Sequence, residues 1–315
     1  MNIVLITDGL SPLVPRFHTL PNNPVGIIDY SATDKRSFVG LKALAFRAYR
    51  FLRGQKPYLS LEDYCKKRRL RYARVVKSNA SDIKHILLDW QAGLAVTSCC
   101  PTIPLAVLED LSFGAINLHP SLLPRYRGAD PMFWQVHDQE PTVGVTVHYL
   151  DSRVDAGPIV SQIATPRPLR KSKVYLDKTI EGDLGRLCVI DALEKIRQRI
   201  AVVQPQPRVS TTRYARYVTA DAVPSVVDMS AISLDALVDI ICYFESWPAS
   251  VTGGAGWKRR VLWTPVRITR YPTPRADVSN GQVRHTWIGV VVLHQDGEIV
   301  LRPRVSLRML LNPVS

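Results

Sequence analysis

Short, β-branched apolar runs alternate with amphipathic stretches through the N-terminal part of the chain. Asn2–Thr7 (NIVLIT), Ala92–Thr97 (AGLAVT) and Ala115–His119 (AINLH) have the composition of buried strands, whereas Ser81–Gln91 has that of a helix. Buried strands that alternate with helices form a mostly parallel sheet with helices on both faces. The sequence therefore predicts an open α/β fold.

The pattern changes at the proline-rich stretch Gln204–Arg208 (QPQPR), which predicts a linker. After it come one amphipathic helix, Ser233–Phe244, and a series of short strands with a hairpin signal at Asp296-Gly297. This spacing is typical of a small β-barrel-like (OB-like) domain. We therefore expect a catalytic domain over residues 1–203, a linker over 204–213 and a β-rich domain over 214–315.

Several classes of protein are excluded by what the sequence lacks. No apolar run approaches the length of a membrane span, and no basic and apolar leader is present. The five cysteines form an odd set with no CxxC motif, which argues against a disulfide framework or a structural zinc site. There is neither a GxGxxG motif nor a P-loop. We expect a soluble, cytoplasmic protein that binds no metal.

Two polar side chains project together from the predicted strand Ala115–His119. Because side chains alternate along a strand, Asn117 and His119 share one face at its carboxyl end, where open α/β sheets bind ligands. Asp155 follows another predicted strand and precedes a small-residue turn. A carboxylate raises the pKa of a nearby imidazole, and an amide can donate to an oxyanion. The three residues favour catalysis as a set, although each alone also fits a structural role.

Two segments carry a resemblance to a known family: AINLHPSLLPRYRG (residues 115–128) and VGVTVHYLDSRVDAGPI (residues 143–159). Together they resemble the 10-formyltetrahydrofolate-dependent formyltransferases, which act on methionyl-tRNA, glycinamide ribonucleotide or amino sugars. The resemblance implies a Rossmann-like catalytic domain with a barrel-like extension. It also implies that Asn117, His119 and Asp155 are the catalytic residues.

The reaction implied by this resemblance is the direct transfer of a formyl group from a folate nitrogen to an amine, without a metal. The amine attacks the formyl carbon, Asn117 and a protonated His119 stabilise the oxyanion, and Asp155 supports the imidazolium and relays the amine proton. A 10-formyltetrahydrofolate co-substrate and an amine acceptor are therefore the expected partners.

The resemblance also predicts where these partners bind. The pterin of the folate is expected between two loops, held largely by backbone groups. The matching positions are Ser98, Cys99, Cys100, Pro101, Ile103, Leu108, Leu150, Asp151 and Val154. Candidate substrate-binding residues are Asp8, Gly9, Arg125 and Arg127, of which the two arginines also fit a solvated surface.

The remaining segments favour a small-molecule acceptor, such as an amino sugar nucleotide or an amino-acid or peptide precursor. Thr7–Pro12 (TDGLSP) departs from the GTPxFA turn of methionyl-tRNA formyltransferases, and Ser246–Ala249 (SWPA) matches their NPWPGA segment only in part. The alternatives, in descending order, are a methionyl-tRNA formyltransferase, a formyltetrahydrofolate hydrolase and a non-catalytic RNA-binding protein.

The basic excess is concentrated in one part of the chain. The formal net charge is +14, and residues 35–74 contain thirteen Lys and Arg against two acidic residues. Within this segment Phe38–Arg53 predicts a basic amphipathic helix. Such a patch suits a polyanion: a nucleotide diphosphate, a folate polyglutamate tail or a tRNA backbone. A solvated surface is the alternative.

Overall fold

The computed structural model describes residues 1–32, 60–199, 203–219, 222–244, 262–286 and 289–304. The predicted basic helix Phe38–Arg53 and the Ser246–Ala249 segment lie outside these residues. The chain forms two compact units. Unit 1 comprises Met1–Gly128, Thr142–Pro166 and Asp177–Tyr214, and unit 2 comprises Ala129–Pro141, Arg167–Leu176 and Ala215–Ser315.

Unit 1 contains a seven-stranded sheet with the strand order β3-β2-β1-β4-β5-β6-β7. Neighbouring strands are parallel from β3 to β5, whereas β6 and β7 run antiparallel at one edge. The predicted open, mostly parallel sheet is confirmed. The strands are β1 (Asn2–Thr7), β2 (Asn23–Ser31), β3 (Arg71–Val76), β4 (Leu94–Ser98), β5 (Ala115–His119), β6 (Thr142–Tyr149) and β7 (Ile159–Pro166).

Eight α-helices lie within the described residues. They are α1 (Val14–Phe17), α2 (Leu61–Arg68), α3 (Asp82–Asp89), α4 (Pro131–His137), α5 (Lys173–Leu176), α6 (Gly185–Arg197), α7 (Val223–Val226) and α8 (Leu234–Phe244). A π-helix over Asp177–Leu184 continues into α6, so that two kinds of helix follow one another here. The wider turn of a π-helix preserves an amphipathic pattern, which is why periodicity does not distinguish the two.

Helices cover both faces of the sheet in unit 1. On one face, Val4 and Ile6 of β1 pack in a common apolar cluster with Ile83 and Leu87 of α3. On the other face α6 approaches β5 so closely that a Cβ on Gly185 would lie 2.7 Å from a methyl carbon of Leu118. The alternation of side chains along β5 therefore assigns Leu118 to the α6 face and Asn117 to the opposite one.

Unit 2 contains a small antiparallel sheet, as the sequence predicts for this part of the chain. Its order is β8-β11-β10-β9, and the predicted hairpin places His294 opposite Gly297. A buried ion pair of 2.8 Å joins Arg167 to Asp239 of α8. The strands are β8 (Leu262–Arg270), β9 (Val283–Thr286), β10 (Gly289–His294) and β11 (Gly297–Arg304).

The predicted linker, residues 204–213, lies within unit 1. Gln204 exchanges two backbone hydrogen bonds with Ile159 of β7, at 2.8 and 2.9 Å. Prolines lack an N–H and are therefore confined to the edges of sheets, where the non-proline residues between them can still pair. A proline-rich composition consequently fits an edge segment as well as a linker.

Candidate active site

The carboxyl end of β5 carries Asn117 and His119 on the same face. Strand β6 runs antiparallel beside it, in a register that sets His148 directly opposite Asn117. The side chains of His119 and His148 are both almost entirely buried. Strand pairing alone therefore brings an amide and two imidazoles together at this end of the sheet.

Asp155 completes this cluster from the loop that follows β6. Its Oδ2 lies 3.6 Å from His119 Nδ1, and its Oδ1 lies 3.4 Å from Asn117 Nδ2 and 3.7 Å from His148 Nε2. The carboxylate also accepts a 2.9 Å hydrogen bond from the backbone N–H of Gly128. The three residues singled out from the sequence are thus neighbours in space. With His148 they are the candidates for catalysis, and we call these four residues the catalytic cluster.

Backbone carbonyls fix which ring nitrogens carry hydrogen. His119 Nε2 lies 2.9 Å from the carbonyl oxygen of Tyr126, and His148 Nδ1 lies 2.8 Å from that of Tyr149. A carbonyl only accepts, so each of these nitrogens is the donor. In a neutral His119, the lone pair on Nδ1 consequently faces Asp155. The Nε2 of His148 is free to accept from Asn117 Nδ2 at 3.2 Å.

Thr97 orients the amide of Asn117. Its buried hydroxyl, on β4, donates a 2.8 Å hydrogen bond to Asn117 Oδ1. With Oδ1 held in this way, the amide NH₂ is turned towards His148 and Asp155. Thr97 and His148 were missed from the sequence. The alternation in VTVHY places His148 on the same face as Thr146. Which residue of β5 lies opposite His148 depends on the register of the two strands, and the sequence around His148 does not determine that register.

Burial and the neighbouring charges set the protonation states of the pair. Burial lowers the pKa of His119, although Asp155 and the Tyr126 carbonyl act in the opposite direction. Burial alone would raise the pKa of Asp155, but the His119 and His148 imidazoles and the Gly128 N–H outweigh it and hold this pKa below the usual range. At neutral pH the free protein therefore has an ionised Asp155 and a neutral His119.

Acidification is expected to destabilise the protein through His119. Its pKa is lower in the folded state than in the unfolded chain, so unfolding takes up a proton once the pH falls below the ordinary value of about 6.5. The free energy of unfolding therefore falls by up to about 1.4 kcal/mol for each pH unit below that value. In His119→Gln, the difference in urea unfolding midpoint between pH 7.5 and 5.5 should shrink.

The exposed His85 provides the matched control for that experiment. His85→Gln should retain the wild-type difference between the two pH values, because it removes an exposed imidazole that lies outside the buried cluster. An undiminished difference in His119→Gln would show that other groups cause the acid sensitivity.

The loop of Asp155 depends on close backbone packing. Asp155 has a φ of 50°, in the left-handed region, and a Cβ on Gly157 would lie 1.9 Å from the carbonyl oxygen of Tyr149. Gly157→Ala should therefore displace the loop, lower the melting temperature by several degrees and abolish turnover. Differential scanning fluorimetry and a turnover assay measure the two effects. Gly93→Ala is the control, because its Cβ would meet no atom closer than 3.4 Å.

Arg127 supports this loop from a buried position. Its guanidinium donates to Gln206 Oε1 at 2.8 Å and to the carbonyl oxygens of Pro207 and Arg208. Gln206 Nε2 in turn donates to the carbonyl oxygens of Asp155 and Gly157, at 3.2 and 2.6 Å. This Arg127–Gln206 clamp gives Arg127 a supporting role, and the substrate-binding role stays a prediction. The other predicted arginine, Arg125, lies over the ring of Tyr126, with 5.5 Å to its centroid.

The two predicted folate loops share one apolar cluster. Ile103 and Leu108 are buried in it, and Cys100 and Leu150 pack against it while half-buried. Pro101 and Asp151 are also half-buried, whereas Val154 is exposed. The apolar surface of both loops thus lies beside the strands that carry Thr97 and Asn117.

Ser98 and Cys99 face a buried carboxylate that sequence reasoning missed. Ser98 Oγ and Cys99 Sγ both donate to Glu181 Oε1 of the π-helix, at 3.1 and 2.8 Å. Burial raises the pKa of Cys100 to about 12, with smaller contributions from the nearby acids Asp8 and Asp155. Burial and the neighbouring Glu181 also raise the pKa of Cys99. Both thiols remain protonated at neutral pH, so neither is an activated nucleophile.

The predicted substrate residues Asp8 and Gly9 lie in the turn after β1. The Gly9 N–H donates to Asp29 Oδ1 at 2.9 Å, and the Asp8 N–H donates to the Cys99 carbonyl oxygen at 3.1 Å. Gly9 has a φ of 67°, which a residue with a side chain adopts only with strain. The turn is therefore tied to the first folate loop through Cys99.

Two general features of the described residues bear on the chemistry. No group of three or more His, Cys, Asp or Glu side chains is arranged there to hold a metal ion. In the same residues no helix combines the length and the apolar character needed to cross a membrane.

Comparison with known proteins shows which family a part of the chain resembles. Residues 57–180 match the family model described as formyl transferase. The methionyl-tRNA formyltransferase of Anaplasma marginale is 40% identical over 107 residues, which are 33% of this chain and 36% of that protein. The chain spans 32% to 59% of the length of the curated relatives that it matches.

Solved structures share the fold over almost the whole chain. A sugar 3N-formyl transferase, WlaRD, has a TM-score of 0.60 and 11% identity, and the match covers 98% of this chain and 99% of that one. An N-formyltransferase from Helicobacter canadensis has a TM-score of 0.59 and 13% identity, with coverage of 96% and 99%. At these identities the likeness concerns the fold. Residues 57–180 of the chain are therefore similar to the formyl transferase family.

Proposed function

We propose that this protein transfers a formyl group from 10-formyltetrahydrofolate to an amine. The observation that carries the proposal is the catalytic cluster itself. It combines an ionised carboxylate, a neutral imidazole and an oriented amide donor within a few ångströms of one another, inside a formyl transferase domain. These are the groups that an acyl transfer without a metal requires: a proton acceptor and an oxyanion donor.

In the proposed mechanism the acceptor amine attacks the formyl carbon and forms a tetrahedral oxyanion. Asn117 Nδ2 donates a hydrogen bond to that oxygen. His119 takes the amine proton on Nδ1, and the imidazolium is stabilised by Asp155 at 3.6 Å. The bond between the formyl carbon and folate N10 then breaks, and N10 receives the proton. The products are a formamide and tetrahydrofolate, and no other reactant is consumed.

A neutral resting His119 modifies the role predicted for it from the sequence. Its Nε2 donates to the Tyr126 carbonyl, which leaves the lone pair on Nδ1 to accept a proton beside Asp155. We therefore assign His119 the role of proton acceptor, which becomes charged only after attack has begun. The oxyanion donor in this proposal is Asn117, with Thr97 as the residue that positions it.

The folate is proposed to bind along the apolar cluster shared by its two candidate loops. Ile103 and Leu108 supply a buried apolar floor, and the half-buried Cys100 and Leu150 border it. Two solved relatives of the same fold were crystallised with folates: 5-N-formyl-THF in one and folinic acid in the other. Their fold is the support for placing the co-substrate on this surface.

For the acceptor we propose a small-molecule amine, such as an amino sugar carried on a nucleotide. WlaRD was crystallised in the presence of dTDP, and the Helicobacter canadensis enzyme in complex with dTDP-3-aminofucose. Both match this chain over nearly its full length, whereas the curated methionyl-tRNA formyltransferases match it over a part. Methionyl-tRNA is the second candidate, because the curated relatives carry that name.

The test is to incubate the protein with 10-formyltetrahydrofolate and one acceptor at a time, and to follow the release of tetrahydrofolate. The acceptors are a dTDP-amino sugar, Met-tRNA and water alone, with Asn117→Ala as the chemical control. Release with the amino sugar, with the formamide identified by mass spectrometry, is the expected result. Release with Met-tRNA only would select the second candidate. Release in water alone would indicate a hydrolase, and no release with any acceptor would overturn formyl transfer.

A further inference from the structure

A second concave site lies in unit 1, at the end of α2. It is a cleft of about 350 Å³ lined by His18, Pro24, Lys67, Arg68, Arg69 and Leu70. Five of the six residues from 66 to 71 (KKRRLR) are Lys or Arg. We call this site the basic cleft. Four of its lining residues, 67–70, belong to the charged segment 35–74.

The basic cleft is remote from the catalytic cluster. In the register of the sheet, Arg71 pairs with Gly26, Gly26 with Val4, Val4 with Ala95 and Ala95 with Ala115. Four strand spacings therefore separate Arg71 from Ala115, or roughly 19 Å. Asn117 lies a further two residues along β5, so the two sites are about 20 Å apart. A small acceptor held at the catalytic cluster does not reach this cleft.

The charge of the cleft is only partly compensated. Lys67 forms a 3.0 Å ion pair with Asp63, and Arg71 lies 3.5 Å from Asp89, with all four side chains partly exposed. Within the part of the chain that the structure describes, the Arg69 guanidinium has no carboxylate partner. Exposed ion pairs of this kind contribute little to stability and leave the local electrostatic potential positive.

His18, which also lines the cleft, contributes a polar atom. Its Nδ1 lies 2.8 Å from the hydroxyl of Tyr64. Because this contact occupies Nδ1, Nε2 is the ring nitrogen available to a ligand. The cleft thus combines guanidinium and ammonium groups with an imidazole nitrogen, which is a donor set suited to phosphate oxygens.

Lys66, Lys67 and Arg68 suit the negative end of the helix dipole, but capping of the helix end does not account for the Arg69 side chain. The C-terminal carbonyls of α2 are already capped: the Arg69 N–H bonds to Lys66 O and the Leu70 N–H to Cys65 O, at 3.3 and 3.0 Å. Arg69 itself has a φ of 56°, the left-handed conformation of a helix cap, in which glycine is the favoured residue. Arginine is less favourable than glycine in this backbone conformation. The backbone therefore does not explain why residue 69 is an arginine.

We propose that the basic cleft binds a compact polyphosphate group, of the pyrophosphate type found in nucleotides, at a site separate from the catalytic cluster. The concave shape, the uncompensated Arg69 and the imidazole support a small and highly charged ligand. A single inorganic phosphate would engage fewer of these groups and should bind more weakly.

The test uses inorganic pyrophosphate and isothermal titration calorimetry on the full chain. Arg69→Gly removes the guanidinium and suits the left-handed backbone, so the fold should be retained. This variant should weaken pyrophosphate binding about tenfold. The control, Lys66→Ala, removes the same charge from an exposed residue outside the cleft lining and should leave the affinity unchanged. Tetrahydrofolate release should be unaltered in both variants, which separates this proposal from the proposed function.

Three results would overturn the proposal. The first is an absence of pyrophosphate binding to the wild-type protein. The second is equal weakening in Arg69→Gly and Lys66→Ala, which would indicate a diffuse basic surface. The third is Arg69-dependent binding of an acceptor-stem RNA duplex without binding of pyrophosphate, which would identify a nucleic-acid contact.

Discussion

Replacing Asn117 with alanine is expected to lower kcat by about 10²- to 10³-fold, the usual effect of removing one oxyanion donor. The Michaelis constant for 10-formyltetrahydrofolate should change little, because the interaction strengthens only as the formyl oxygen becomes charged. The measurement is tetrahydrofolate release under saturating acceptor. The melting temperature should remain close to that of the wild type.

Two further variants make this prediction specific. Thr97→Val removes the hydroxyl that holds Asn117 Oδ1 at 2.8 Å while keeping the shape of the side chain. It should lower kcat by roughly tenfold, less than the loss of the donor itself. Asn79→Ala, which removes an exposed amide elsewhere, is the control. Turnover of Asn117→Ala within a factor of two of the wild type would refute the assigned role.

Asp155→Asn is expected to lower kcat by about three orders of magnitude, because the carboxylate that stabilises the His119 imidazolium is lost. Asp155 raises the pKa of His119 against the effect of burial, so this substitution should lower that pKa further. If neutral His119 accepts the proton, the acid limb of the kcat/KM profile arises from its protonation. In Asp155→Asn this limb should therefore move to lower pH, in addition to the loss of rate.

The control for this substitution is Asp89→Asn, which removes a carboxylate that is largely exposed. It should leave both the rate and the pH profile unchanged. A shift of the acid limb to higher pH in Asp155→Asn would contradict the assigned protonation states. A full rate with an unchanged profile would exclude Asp155 from the reaction.

Local sequence patterns were sufficient for most of the sheet. The buried apolar runs predicted β1 and β5 with the bounds that the structure has, and alternation along β5 placed Asn117 and His119 on one face. These predictions depend on side-chain periodicity and burial within a few residues.

The remainder of the candidate site depends on contacts between residues far apart in the chain. His148 joins the catalytic cluster only because β6 pairs with β5 in one antiparallel register. Arg127 looked like a surface arginine, because nothing near it in the sequence shows that Gln206 lies beside it. Family resemblance supplied Asn117, His119 and Asp155 as a set. It did not supply their protonation states, which result from burial and from the facing carbonyls.

The Arg127–Gln206 clamp also defines how much of the chain a working catalytic centre requires. The recognisable family domain ends at residue 180, and all three proposed catalytic residues precede that point. The loop of Asp155 is nevertheless held by a side chain from residue 206, which is fixed in turn by Arg127. A polypeptide cut at the domain boundary would contain every reacting group and lack the support of its carboxylate. The shortest competent fragment of this protein is therefore longer than the domain by which it is recognised.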